Sequence, residues 1–240
     1  ADSGNYASAD DLVGYWRNDG VTTWTDRSTN SNNGTVSGSP ASIIVPEGLN
    51  EGRDSQGYYL TDTDSISSGI RLKGAEYISV QDSESLDLGT SDFTLECWLK
   101  TTSQGYLRIM DKRDASSGFT LNVNTSEKIN LELNDGSGNS GFSGNTAVND
   151  GNWHHVVVSA DRSANAKFYL NGVLDDTDDI SAKNGSLNSV STLFIGADAP
   201  NGDSLFFNGS IDEVRIYKGK ALSATEVLKN YNNGKSAHSN

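Results

Sequence analysis

Residues 92–100 read DFTLECWLK. Side chains alternate across a strand, so Phe93, Leu95, Cys97 and Leu99 share one face while Thr94, Glu96, Trp98 and Lys100 share the other. Ser91 and Asp92 are turn formers that start the run. The same two-residue period returns in residues 152–160 (NWHHVVVSA), 166–173 (AKFYLNGV), 192–196 (TLFIG) and 210–217 (SIDEVRIY). Clusters of Gly, Asn and Asp end these runs, so each should turn back on a neighbour. One face of such a set must be buried, and a second sheet is the simplest cover.

Working outward, Leu12–Trp16 (LVGYW) reads as a first strand, and residues 108–110, 119–123 and 128–133 read as further ones. Residues 70–80 alternate around a bend at Gly74. Two stretches read as loops: 134–145 (NDGSGNSGFSGN) and 175–179 (DDTDD), the second a solvated charge cluster. Asn171-Gly172 is the strongest hairpin turn in the chain. Near the end, Ser223 and Glu226 form a capping box that opens a short helix over 224–231, and Asn232-Asn233-Gly234 stops it. The tail beyond Gly234 is expected to be disordered. No repeat or linker divides the chain, so residues 1–240 read as one domain with an inserted excursion at about 43–69. Short strands at 43–45 and 58–60 are expected within that excursion.

Composition narrows the function. The 240 residues carry a formal net charge of −14, and 34% are hydrophobic, arranged in short alternating runs that favour sheets over disorder. Nucleic-acid binding needs clustered Lys and Arg, which this balance lacks. A single Cys permits neither an intramolecular disulfide nor a thiolate metal site; Cys97, on the apolar face of its strand, reads as a small buried hydrophobe. No run approaches the roughly 20 apolar residues of a membrane helix, so no membrane insertion is expected. The first eleven residues have neither the charged nor the apolar region of a signal peptide. Ala1 fits either removal of an initiator Met or cleavage of a signal peptide.

Several ordered segments resemble the laminin-G-like, concanavalin A-like jelly-roll family. They are 77–88 (YISVQDSESLDL), Phe93–Lys100 (FTLECWLK), 150–159 (DGNWHHVVVS), 166–173, 193–196 (LFIG) and 208–223 (NGSIDEVRIYKGKALS). Leu12–Trp16 with 26–36 (DRSTNSNNGTV) is similar to that family's opening strand and Asn/Gly-rich loop. The resemblance implies an all-β fold, a two-sheet antiparallel jelly-roll sandwich with one short C-terminal helix. It also implies a structural Ca²⁺ near the sheet rim. By position the ligands would be Asp26, Asn30 and Asn32 in the early loop and Asp212 in SIDEVRIY, with Gly34 letting the backbone turn. Thr29 and Ser31 stand where the family usually has Gly.

Some relatives in such a family are glycoside hydrolases or lyases. A hydrolase needs two carboxylates about 5–9 Å apart across one sugar, which on a strand appears as alternating acids. Asp212 and Glu213 are adjacent, so alternation predicts opposite faces. His154 and His155 are also adjacent and read as structural. The chain is therefore read as non-enzymatic, with a polysaccharide-degrading enzyme the least favoured class.

Sugar recognition by a sandwich uses an aromatic platform with Asp, Asn or Arg beside it. Candidates are Trp24, Tyr58, Tyr59 and Phe142, with Tyr106 and the Phe206-Phe207 pair also in turn-rich places. In that pair, alternation buries one ring and exposes the other. The expected function is a surface recognition module, stabilised by Ca²⁺, whose partner is a glycan or cell-surface polysaccharide. The rival reading is a structural or decoration protein of a virus particle, such as a phage, with capsid or tail proteins as partners. A virion protein needs neither a secretory signal nor a disulfide. The expected location is extracellular or on a virion surface.

Overall fold

The structure, a computed structural model, describes residues 6, 8–17, 23–38, 41–43, 69–198 and 205–238. In chain order the strands are β1 (Leu12–Trp16), β2 (Thr23–Trp24), β3 (Gly34–Ser37), β4 (Ala41–Ile43), β5 (Gly69–Lys73), β6 (Tyr77–Val80), β7 (Phe93–Lys100) and β8 (Leu107–Arg113). They continue with β9 (Ser117–Val123), β10 (Lys128–Asp135), β11 (Asn139–Ala147), β12 (His154–Ala160), β13 (Asn165–Leu170), β14 (Val173–Asp179), β15 (Leu193–Ile195) and β16 (Asn208–Lys218). The helix α1 spans Ala224–Gly234.

Two antiparallel sheets result. Sheet A runs β14-β13-β12-β7-β16-β5-β4, with β1 also paired to β16; sheet B runs β11-β10-β9-β8-β15-β6-β3-β2. The inner faces meet as the alternation predicts. Phe93, Leu95, Cys97 and Leu99 of β7 join Phe119, Leu121, Ile129, Leu131, Ile195 and Ile211 in one core. Burying each such side chain stabilises by about 1.5–3 kcal/mol relative to exposure. Burial pushes the Cys97 thiol well above its usual range, which keeps it an inert hydrophobe.

The outer face of β7 is also covered. Glu96 and Trp98 are buried because α1 lies across them, and Thr94 because the segment entering the helix does, its hydroxyl bonded to Lys220 and Leu222. Asn230 of the helix donates to Glu96 at 2.8 Å, and Tyr231 stacks on Trp98 at 5.7 Å. Ser223 caps the helix as its sequence predicts, and Glu226 also accepts a 2.8 Å bond from Ser8 near the other end of the chain. Residues 235–238 of the tail form turns against the sheet, contrary to the sequence reading. His238 is buried flat on Trp98, with ring centres 4.2 Å apart, because that indole offers an apolar face beside the Asp212 carboxylate.

Two expected loops are strands. Residues 139–147 form β11 and pair with β10, and Val173–Asp179 form β14. Asn171 and Gly172 between β13 and β14 take φ of 53° and 79°, the left-handed pair that a tight hairpin requires. The acids of DDTDD are not simply solvated. Asp175 accepts from the backbone N–H of Asn145 and Thr146, and Asp178 from that of Ser143. The run thus stitches the edge of sheet A to the edge of sheet B.

The expected excursion leaves from β4 and returns on β5, which pair antiparallel with Ser42 opposite Ile70. Residues 44–68, including the expected strand at 58–60 and the candidates Tyr58 and Tyr59, lie outside the described residues.

Candidate functional site

Outer-face residues of sheet B are set by register. Glu132 of β10 stands opposite Thr120 of β9, Thr120 opposite Asp111 of β8, and Asp111 opposite Phe194 of β15. Asn130, Asn122 and Arg108 make the adjacent row. A bulge between Arg108 and Met110 brings Arg108 and Asp111 to the same face although they are three residues apart.

These side chains close into a ring. Arg108 bonds Asp198 at 2.9 Å and Glu132 at 3.2 Å. Arg113 bonds the same two acids, Glu132 at 3.0 Å and Asp198 at 3.1 Å. Asp111 lies beneath, 3.3 Å from the Nε of both arginines and fully buried, whereas Asp198 and Arg113 are 19% and 23% exposed. Asn122 donates to Glu132 at 2.9 Å, and Asn139 reaches it at 3.4 Å from β11.

Among the described residues, no donor forms a hydrogen bond to either Asp111 oxygen. A protonated Asp111 resolves this, because the acid then donates to the neighbouring Asp198 carboxylate. Burial pushes Asp111 up, against the pull of Arg113 and Arg108, and the bond to Asp198 adds to the rise, which reaches about 8. Asp198 moves the opposite way: burial alone raises it, but the bond from Asp111 and the two guanidiniums hold it below the usual range.

Beside the ring sits an aromatic cluster. Tyr77 meets Phe194 edge-on at 5.5 Å and stacks on Phe206 at 6.4 Å. Phe206 is half-buried and Phe207 fully buried, the division that alternation predicts for the pair. The site therefore offers polar groups fixed by mutual bonds next to a partly exposed ring, the combination that sugar binding uses.

Trp24 and Phe142, expected to bind ligand, lie elsewhere. Trp24 is fully buried in the core because β2 turns its ring inward between the sheets, so it is no exposed platform. Phe142 is in β11, half-buried and packed on the core rather than displayed on a loop. Tyr106 is 45% exposed. The adjacent histidines are both held by protein groups: His155 lies 3.0 Å from Glu96, and His154 lies 2.9 Å from Asp150.

The residues implied as Ca²⁺ ligands do not fit a cation. A cage needs oxygens aimed at a common centre. Asp26 instead accepts from Tyr15 N–H, Ser28 N–H, the Ser28 hydroxyl and Asn32 N–H, at 2.8–2.9 Å. Asn30 and Asn32 turn their amide nitrogens to the carbonyls of Leu12 and Val13. Asp212 faces His238 under the helix tail, 3.2 Å away. The loop is organised around Asp26 by hydrogen bonds. Ser31 takes φ 58°, the conformation the family's Gly would adopt freely. Gly34 has a different role from the expected one: a Cβ there would lie 2.5 Å from Ile78, so it permits close packing rather than a turn.

A second polar cluster lies on the outer face of sheet A. Arg215 pairs with Glu96 and, at 2.7 Å, with Glu213, while its guanidinium lies 3.7 Å from the Tyr6 ring centre. Glu213 adopts φ 50° at a bulge between Asp212 and Arg215, which breaks the alternation. Asp212 and Glu213 consequently share the covered face instead of pointing apart. Arg215 opposes burial through both carboxylates and is held well above its usual range, while Glu96, raised by burial, is brought down to about 2 by Arg215, His155 and Asn230. This cluster is sealed beneath α1 and Tyr6, so it fastens elements rather than meeting a ligand.

No curated protein matches the chain in sequence. Among solved structures, the binding domain of Paraclostridial Mosquitocidal Protein 1 superposes with TM-score 0.70 at 18% identity, over 93% of this chain and 52% of that one. The binding domain of botulinum neurotoxin DC in complex with SialylT gives 0.67 at 16%, again over 93% and 52%. The same toxin's binding domain in complex with rat synaptotagmin II gives 0.66 at 16%, with the same coverage. The chain thus spans about half the length of these structures, and at such identities the likeness is one of fold. Among the described residues no helix is long and apolar enough to cross a membrane. Residues 72–228, more than half the chain, match the family described as Concanavalin A-like lectin/glucanases superfamily. With its two antiparallel sheets in a jelly-roll sandwich, the chain belongs to that superfamily.

Proposed function

We propose that the chain is a non-catalytic recognition module that binds a glycan on a cell surface through the outer face of sheet B. The observation that carries this reading is the Arg108–Glu132–Arg113–Asp198 ring beside the Tyr77–Phe206 pair. Locked hydrogen-bonding groups next to an aromatic face suit a rigid polyhydroxyl ligand at low entropic cost. The solved relatives support the class of activity, since they are binding domains and one is in complex with SialylT.

Catalysis is disfavoured by geometry. Asp111 and Asp198 both lie against Nε of Arg108, at 3.3 and 2.9 Å, so the two acids are engaged by one guanidinium rather than set across a sugar. Asp111 is also fully buried and out of reach of a substrate.

The test is an array of immobilised glycans probed with the purified chain, alongside a reducing-end assay on each bound glycan. Binding to a defined subset, with no new reducing ends after prolonged incubation, is the expected result. Release of reducing ends, or no retention on any glycan, overturns the reading.

A further inference from the structure

We infer that this site selects neutral glycans and discriminates against sugars bearing a carboxylate or sulfate. The inference rests on the proposed glycan-binding role and names its ligand class. Arg113, the guanidinium that reaches the surface, already has a carboxylate oxygen within 3.3 Å of each of its three nitrogens: Asp111 at Nε, Glu132 at Nη1 and Asp198 at Nη2. Arg108 is 5% exposed and is held by the same three acids. An incoming anion would therefore have to displace an existing ion-pair partner. That exchange gains little, and it strands a half-buried carboxylate.

Charge balance points the same way. Two guanidiniums face three carboxylates, so the ring holds no spare positive charge for an anion. Adding an anionic sugar leaves it negative. The chain as a whole carries −14, which repels anions at long range. A neutral sugar meets no such penalty. Its hydroxyls both donate and accept, so they can bond the amide of Asn139, which is exposed at the rim. Its apolar C–H face can lie on Phe206. The sialylated ligand of the botulinum relative is thus not the expected class for this chain, despite the shared fold.

Calorimetric titration of the whole chain with matched pairs tests this. One pair is a galactose-ended tetrasaccharide with and without a terminal sialic acid; another is a neutral β-glucan oligomer against an oligoglucuronate of equal length. The neutral member is expected to bind at least tenfold more tightly, with little change between 50 and 500 mM NaCl. Phe206→Ala should weaken it at least fivefold with unfolding temperature retained. Asn139→Ala, on the exposed rim, provides a second variant should Phe206→Ala fail to fold. Tighter binding of the anionic member, or an affinity that collapses with salt, overturns the neutral-ligand inference. Full affinity in the folded variants places the sugar elsewhere and overturns the site. Retention of no glycan of either kind sinks the underlying recognition role instead.

Discussion

Glu96 and Arg215 are cross-strand partners in β7 and β16, and neither side chain has any atom exposed to water. Each is also tied to elements beyond the sheet: Glu96 to Asn230 of α1, and Arg215, through Glu213, to Tyr6. Removing one partner leaves the other charge buried and unpaired. Arg215→Met is expected to cost about 3–5 kcal/mol in urea unfolding. Adding Glu96→Gln to that variant should restore part of the loss, whereas independent effects would simply add.

The two buried acids should respond to pH with opposite signs. Asp111 has a folded value near 8, above its ordinary one, so its contribution is full below about pH 4 and is lost as pH rises toward 8. Glu96 sits near 2, below its ordinary value, so its contribution is present above about pH 4 and is lost as pH falls toward 2. Stability measured across pH 3–9 should lose a downward slope of at most about 1.4 kcal/mol per pH unit between pH 4 and 8 in Asp111→Asn. Glu96→Gln should flatten only the acid limb. An unchanged slope in Asp111→Asn would show that this carboxyl is ionised in the folded protein.

Asp26 is predicted to stabilise its loop without a cation. Its carboxylate gathers four donors from Tyr15, Ser28 and Asn32. Asp26→Ala should cost about 3 kcal/mol through the donors left unsatisfied. Unfolding temperature should be the same in EDTA and in millimolar Ca²⁺, for the parent and the variant alike. A rise with Ca²⁺ that disappears in Asp26→Ala would restore the cation reading, since a ligand of the folded state stabilises it by mass action.

Asp175 should control the joint between the sheet edges. It accepts from Asn145 N–H, Thr146 N–H and the Thr146 hydroxyl. Asp175→Ala is expected to cost about 1 kcal/mol overall. Hydrogen exchange at the Asn145 and Thr146 amides should accelerate much more than at β9 or β10. Uniform acceleration across sheet B would mean that the joint is not local.

The sandwich was legible because one face of each strand alternates cleanly, as in FTLECWLK. The fate of the opposite face was not. Glu96 and Trp98 look solvated by period alone, and only the placement of α1 across them reveals a buried network. The proposed binding face was hidden for a different reason. Arg108 and Asp111 share it through a bulge that no simple period shows, and Glu132, Asn122 and Asp198 come from three other segments. A usable hint lay in FTLNV and INLEL, whose polar positions carry Thr, Asn and Glu, side chains that can bond one another laterally. Turn-rich sequence around Trp24 and Phe142 does not mean exposure, since Trp24 turns inward and Phe142 belongs to a strand edge.

Tyr6 and Ser8 on one side, and His238 on the other, are all fastened to the outer side of sheet A. The described residues nearest the two ends of the chain therefore lie on that side of the sandwich. The Arg108–Arg113 ring looks out from the opposite side, with two sheets about 10 Å apart in between. The described ends of the chain and the ring thus lie on opposite faces, so a bulky group fused at either end is expected to leave the ring accessible.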